Sequence, residues 1–255
     1  MNTRRMQNKE RKDRIRALLK GIETGDPESV TVVHPERYIQ HNPQTLDDGP
    51  GLAELFKKLS ERNPKVRIVR LFSDGDFVFG HTEYNFGTPK VGFEVFRFEG
   101  EHTVEHWDNI QVEAGPNRSD HTMTGGASEA QDQHKTEAHR EIVRSFISEV
   151  IVNGNVKAIT QFIDTASFTE HNPAMGDDLK ELIEAIEKKS TVYETTHRIL
   201  ADGNYVLTVN EGTRDGVHSS FYDLFRLEDG RIVEHWDTTE KVPPREQWKN
   251  NNGKF

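Results

Sequence analysis

The 255-residue sequence has no cysteine. Disulfides, thiolate metal sites, iron–sulfur clusters and cysteine nucleophiles are excluded together, and the composition fits a reducing compartment. Long apolar runs are missing as well. None approaches the ~18–20 residues of a membrane span, and the basic start, MNTRRMQNKERKDRIR, is not followed by the apolar stretch of a signal peptide. A cytoplasmic protein without membrane contact is expected. Positive charge is in deficit, with 33 Lys plus Arg against 43 Asp plus Glu and a formal net charge of −10. That balance opposes a phosphate backbone, so no nucleic-acid partner is expected. Phosphate-binding glycine loops, dinucleotide fingerprints and GxSxG elbows are absent, so phosphoryl transfer, nicotinamide redox and serine hydrolysis find no support. Hydrophobic residues make up only 33% of the chain. The aromatics nevertheless cluster in short alternating stretches, which predicts a folded core with polar loops.

What the chain does contain is a copy of itself. FRFEGEHTVEHWD (96–108) lies over FRLEDGRIVEHWD (225–237) at an offset of 129 residues. HNPQTLDD (41–48) matches HNPAMGDD (171–178) at 130, and RLFSDGDFVFGHTE (70–83) matches RILADGNYVLTVNE (198–211) at 128. The period exceeds by far the ~20–50 residues of solenoid units, so one domain is written twice. The Gly, Ser, Asn and Gln-rich stretch after Asp108 reads as a linker. The expected division is a first domain over 1–120, an exposed linker over 121–134 and a second domain over 135–255.

Both halves place helices before strands. Ala138, Ile142, Val143, Phe146, Ile147, Val150 and Ile151 form a helical stripe over 136–152, and Ile15, Leu18, Leu19 and Ile22 form its weaker equivalent. Asp26-Pro27 starts a short helix, and further helices are expected over 51–62 and 178–189, the latter with Asp178 and Glu181 at capping-box spacing. Strands follow over 66–72, 76–86, 91–99 and 103–112, joined by turns such as 73–76 and 228–231. Helices followed by an antiparallel sheet make an α+β domain, with the helices covering one sheet face over a pocket.

This order, with HNP before the third helix and a final strand ending IVEHWD or TVEHWD, resembles the SnoaL-like branch of the nuclear transport factor 2-like superfamily. The nearest resemblance is to SnoaL-like aldol-condensation proteins, and it covers nearly all of both halves. It implies two cone-shaped antiparallel sheets, each covered by helices, in a cystatin-like α+β barrel. That superfamily includes polyketide cyclases, ketosteroid isomerase-like enzymes, dehydratases and hydrolases, and also members that bind or dimerise without catalysis. Many of its domains pair sheet to sheet, which implies an intramolecular pseudo-dimer and leaves room for a further homo-oligomer.

The candidate residues follow from strand alternation. His106 and Asp108 share one face of the last strand, Glu105 and Trp107 the other. Imidazole and carboxylate suit proton transfer beside a carbonyl, so Asp108 and His106, with Asp237 and His235, are the catalytic candidates. The alternative leaves Trp107 and Trp236 in the core and the polar pair on the sheet rim. Turn and capping roles account for Asn42, Pro43, Asp47 and Asp48, but not for His41 and His171, which join the catalytic set. Tyr38, Asn42, His81, Glu94 and Trp107, with Asn172, Asp223 and Trp236, are the ligand-binding candidates. Glu94 and Asp223 either pair with Arg97 and Arg226 or sit poised in the pocket. Histidine and aspartate suit zinc or non-haem iron, yet no close-spaced motif such as HExxH is present, and neither metal nor organic cofactor is expected.

The functional expectation is cofactor-independent acid–base chemistry on a small carbonyl-bearing or polycyclic ligand: aldol-type cyclisation, isomerisation or dehydration. The alternative is a non-catalytic ligand-binding or assembly module of the same fold. His81 and Tyr38 have Val209 and Phe168 as counterparts, so the first half is expected to be the richer in donors and the more active.

Overall fold

The computed structural model describes residues 2–47 and 49–255, with side chains from residue 6 onward. Asp48, expected as a helix cap, lies outside the described residues. The chain forms two compact units, Met1–Val112 with Pro243–Phe255, and Glu113–Val242. The divisions fall where the last strand of each copy ends. The stretch expected to be an exposed linker belongs to the second unit, where Asn117, Met123 and Thr124 are buried. The C-terminal tail belongs to the first.

In the first unit, α1 (Asn2–Thr24) and α2 (Gly49–Ser60) precede β2 (Lys65–Asp74), β3 (Phe77–Asn85), β4 (Pro89–Glu99) and β5 (His102–Val112), with the two-residue β1 (Ile39–Gln40) between the helices. The sheet order is β1-β5-β4-β3-β2, antiparallel except that β1 runs parallel to β5. Asp26 caps the short 3-10 helix Pro27–Val32 by accepting from the Glu28 backbone N–H, as its Asp-Pro signal predicts. Ile15, Leu18, Leu19 and Ile22 of α1 pack with Leu52 and Phe56 of α2 against Val78, Phe96 and Phe98 of the sheet.

The second unit repeats the plan. It has α3 (Thr136–Phe146), α4 (Ile159–Phe162), β6 (Thr169–Glu170), α5 (Lys180–Glu187), β7 (Thr191–Asp202), β8 (Tyr205–Arg214), β9 (Val217–Glu228) and β10 (Arg231–Lys241). Its sheet order is β6-β10-β9-β8-β7. Both units are α+β, with a five-stranded sheet and helices on one face.

Two local expectations are corrected. The single helix over 136–152 leaves α geometry after Phe146 and continues as a π-helical stretch over Ile147–Val152, which turns Ile147 and Ile151 toward a cavity. The Asp178–Glu181 capping box does not form. Leu179 takes the cap position at φ 60°, Asp178 accepts from the Lys180 backbone N–H, and Arg118 bonds both carboxylates.

Candidate functional site

Each unit has a pocket between its sheet and its helices, about 670 Å³ of unfilled space in the first and about 650 Å³ in the second, open mouths included. Apolar side chains make most of each wall: Leu18, Leu52, Phe56 and Phe96 in one, Phe146, Ile163, Phe168 and Phe221 in the other. The polar groups come from the sheet. Strand alternation turns His106 and Asp108 of β5, and His235 and Asp237 of β10, into their cavities. Antiparallel register sets Glu94 opposite Asp108 and Asp223 opposite Asp237. Like charges directly opposite one another cost stability, so each cross-strand carboxylate pair needs a compensating group.

In the first unit that group is His106. Gln40 Oε1 accepts from the Asn42 backbone N–H at 2.9 Å, which fixes it as an acceptor, so His106 Nδ1–H donates to it at 2.8 Å. His106 Nε2 then faces Glu94 Oε2 at 2.6 Å with one proton between them. Burial pushes the Glu94 carboxyl above its ordinary value, against the opposing pull of His106. Tyr84 donates to Glu94 Oε1 at 2.6 Å. Asp108 accepts from Asn42 Nδ2 at 2.6 Å, and the buried Lys254 ammonium lies 3.4 Å from Asp108 Oδ1 and 2.8 Å from its backbone oxygen.

The second unit has Glu170 where the first has Gln40. His235 Nδ1 lies 2.9 and 3.0 Å from the Glu170 oxygens, and Nε2 lies 3.2 Å from Asp223 Oδ1. Burial opposes a cation there, but the charges and hydrogen bonds of Glu170 and Asp223 override it and raise His235 well above the usual imidazole value. His235 is an imidazolium held between two carboxylates. Tyr193, kept protonated by burial and by the Asp223 charge, donates to Asp223. Asp237 is pushed up to about 6, by burial first and by the Asp223 and Glu170 charges next, against the pull of His235. Its hydrogen bonds come from Asn172 Nδ2 at 2.9 and 2.7 Å.

Several candidate residues lie elsewhere. His41 stacks on Trp107 with ring centroids 4.7 Å apart, and its ring nitrogens meet Glu105 at 3.0 Å and the Gly253 carbonyl at 2.9 Å. His171 repeats this with Trp236 at 4.9 Å, Glu234 at 3.0 Å and the Thr122 carbonyl at 2.6 Å. Both histidines and both tryptophans belong to the sheet face opposite the cavity, because Glu105 and Trp107 have the other strand parity from His106. His81 also points away, onto Phe93 and Arg70. Tyr38, Asn42, Glu94 and Asp223 do line their cavities. Asn172 reaches its site through Asp237. Glu94 and Asp223 do not pair with the arginines: Arg97 bonds Glu105 and Glu99, and Arg226 bonds Glu234 and Glu228.

The second pocket keeps a phenol although Phe168 stands where the first has Tyr38. Position 212, the counterpart of Tyr84, is a glycine, but its register partner Tyr193 supplies the phenol from the neighbouring strand. Glu170 and Arg214 add further charges to that lining. Gln40, Glu170, Tyr84, Tyr193, Arg214 and Lys254 were not singled out by the sequence reading. A carboxylate beginning the EHNP of the second copy, where the first has QHNP, was the one available signal.

No family model matches the chain, and no curated protein matches it. Solved structures do. The chain is similar to an LEH-like epoxide hydrolase from M. tuberculosis, at 18% identity over 41% of this chain and 85% of the other, with a TM-score of 0.36. It is similar to a protein with a cystatin-like fold from Xanthomonas campestris, at 22% identity over 44% of this chain and 98% of the other, with a TM-score of 0.36. A protein with a ketosteroid isomerase-like fold from Catenulispora acidiphila, solved with trimethylamine, matches at 17% identity over 37% and 82%, with a TM-score of 0.33. Among the described residues no helix is long and apolar enough to cross a membrane.

Proposed function

We propose that the second unit performs acid–base chemistry on a small, largely apolar, carbonyl-bearing molecule, and that the first unit binds a ligand of the same class without converting it. The observation that carries this is Asp237. It lines a mostly apolar cavity, its value of about 6 leaves it ionised yet proton-accepting near neutrality, and its hydrogen bonds come from a side-chain amide. Asp237 takes a proton from the carbon α to the carbonyl. The enolate oxygen develops negative charge, for which Arg214 in the same lining is the available cation. Return of the proton to another carbon gives isomerisation, attack on a second carbonyl gives aldol-type closure, and loss of hydroxide gives dehydration.

His235 does not touch the substrate in this scheme, since both its nitrogens are committed to Glu170 and Asp223. It positions Asp223 and balances the charge beneath Asp237. In the first unit Asp108 is compensated by Lys254 and Glu94 is engaged with His106. Those contacts favour recognition over turnover. The experiment is identification of the co-purified ligand by mass spectrometry, then turnover of that compound by the full chain and by Asp237→Asn. Loss of turnover with retained binding supports the proposal. Full turnover by Asp237→Asn removes it.

A further inference from the structure

The first unit gathers three donor groups more tightly than any other such trio among the described residues. Glu94, His106 and Asp108 each present one ligand atom, and those atoms all lie within 4.8 Å of one another. All three side chains are buried, and all three line the first cavity.

Each donor is oriented from outside the trio. Gln40 Oε1 takes the His106 Nδ1 proton at 2.8 Å, Tyr84 donates to Glu94 Oε1 at 2.6 Å, and Asn42 donates to Asp108 Oδ2 at 2.6 Å. Outer partners of this kind set the tautomer and aim of metal-bound histidine and carboxylate groups. With Nδ1 protonated, the Nε2 lone pair faces Glu94 Oε2 at 2.6 Å. Two lone pairs repel at that distance, so a cation must lie between them. A proton is the smallest cation that can.

We propose that the first cavity is a binding site for one divalent transition-metal ion of the zinc type, held by His106 Nε2 and the carboxylates of Glu94 and Asp108. One imidazole and two carboxylates suit such an ion. Bonds of ~2.1 Å in tetrahedral geometry place donor atoms about 3.4 Å apart, so the His106–Glu94 contact opens by under ~1 Å as the ion replaces the proton. Lys254, whose ammonium lies 3.4 Å from Asp108 Oδ1, opposes binding.

The second unit lacks these conditions. Both Asp223 oxygens accept from Tyr193, Asn210 adds a bond to Oδ2, and both Asp237 oxygens accept from Asn172. Both His235 nitrogens donate to carboxylates. Among the described residues no such trio of ligand atoms converges in the second unit, so the proposal places one ion per chain. This inference is independent of the chemistry proposed for Asp237.

The test is titration of Zn2+ into the chelator-treated full chain, followed by equilibrium dialysis and elemental analysis. One equivalent is expected, with uptake weakened at least ~100-fold in His106→Gln and in Glu94→Gln. Gln40→Ala, which leaves all three donors in place, is expected to weaken it ~10–100-fold. Proton release on binding, read by calorimetry in buffers of different ionisation enthalpy, accompanies uptake. Absence of uptake overturns the proposal, as does uptake unchanged in both His106→Gln and Glu94→Gln. Loss of the single equivalent in His218→Ala also overturns it, by assigning the ion to the exposed His197–Glu211–His218 group of the second unit. Circular dichroism of each variant establishes that a lost site is not a lost fold.

Discussion

Gln40 and Glu170 occupy the same position in the two units. Each is the parallel register partner of the last-strand histidine, Gln40 beside His106 and Glu170 beside His235, and each accepts from that histidine's Nδ1. One is a neutral amide, the other a carboxylate. The difference decides what each imidazole can be: His106 shares a proton with Glu94, whereas His235 is a cation between two anions.

Glu170→Gln is therefore expected to lower the titration of His235. The raised folded value means that His235 contributes stability in full below the unfolded imidazole value of about 6.5. That contribution is lost as pH rises through the folded value. Removing the Glu170 charge moves the loss to lower pH. Following the His235 ring signals by NMR across pH checks this, and an unmoved titration would assign the whole effect to Asp223.

Asp237 works in the opposite sense. Its folded value of about 6 lies above the 3.8 of an unperturbed aspartate, so the folded state favours the protonated form. Stability falls as pH rises from about 4 to about 6, and above that the penalty is fully present, on the order of 3 kcal/mol at 1.36 kcal/mol per unit. Asp237→Asn is expected to raise stability at pH 7 by up to roughly that amount, with little change at pH 3. Chemical denaturation at the two pH values measures it. A variant equally destabilised at both would mark Asp237 as a structural group.

His41 and His171 were legible as unusual but not as to face. HNP is a turn signal with an unexplained imidazole, and nothing local says that the ring stacks on a tryptophan some 65 positions later in the chain. They are predicted to matter for folding. His171→Ala removes a buried ring and leaves Glu234 with one partner fewer, at a cost of roughly 2–3 kcal/mol. Ligand affinity per folded molecule is expected to stay unchanged. Reduced affinity in a fully folded His171→Ala protein would return the residue to the site.

The duplication, the helix-then-strand order and the shared face of His106 and Asp108 were readable because each is a short-range pattern or a repeated string; which face turns inward was not, because it depends on where the helices pack. Gln40 and Glu170 were not, because a two-residue parallel strand carries no periodicity and its partner lies far along the chain. Tyr193 escaped for a related reason: alignment pairs Tyr84 with Gly212, while the phenol arrives from the strand opposite. The segments after the two last strands also read as a linker and a tail. Yet Asn117, Thr122 and Gly125 bond Glu170, His171 and Trp236 of the second unit, and Asn252, Gly253 and Asn250 bond Gln40, His41 and Asn42 of the first.

Lys254 gives the tail a measurable role. Lys254→Met leaves the buried Asp108 carboxylate without its ammonium and is expected to cost roughly 3 kcal/mol. Lys254→Met with Asp108→Asn should recover much of that loss. A double-mutant cycle from denaturation midpoints reads the coupling, and strictly additive losses would mean that Lys254 acts only through its packing.

The central claim is that the two copies have parted, with turnover in the second unit. Once the ligand is known, kcat/KM of Asp237→Asn and Asp108→Asn on that compound tests it most directly. Asp237→Asn is expected to lose at least ~100-fold and Asp108→Asn far less, with a wild-type kcat/KM that rises with pH and levels off above about 6. A larger loss from Asp108→Asn, or equal losses from both, would contradict it.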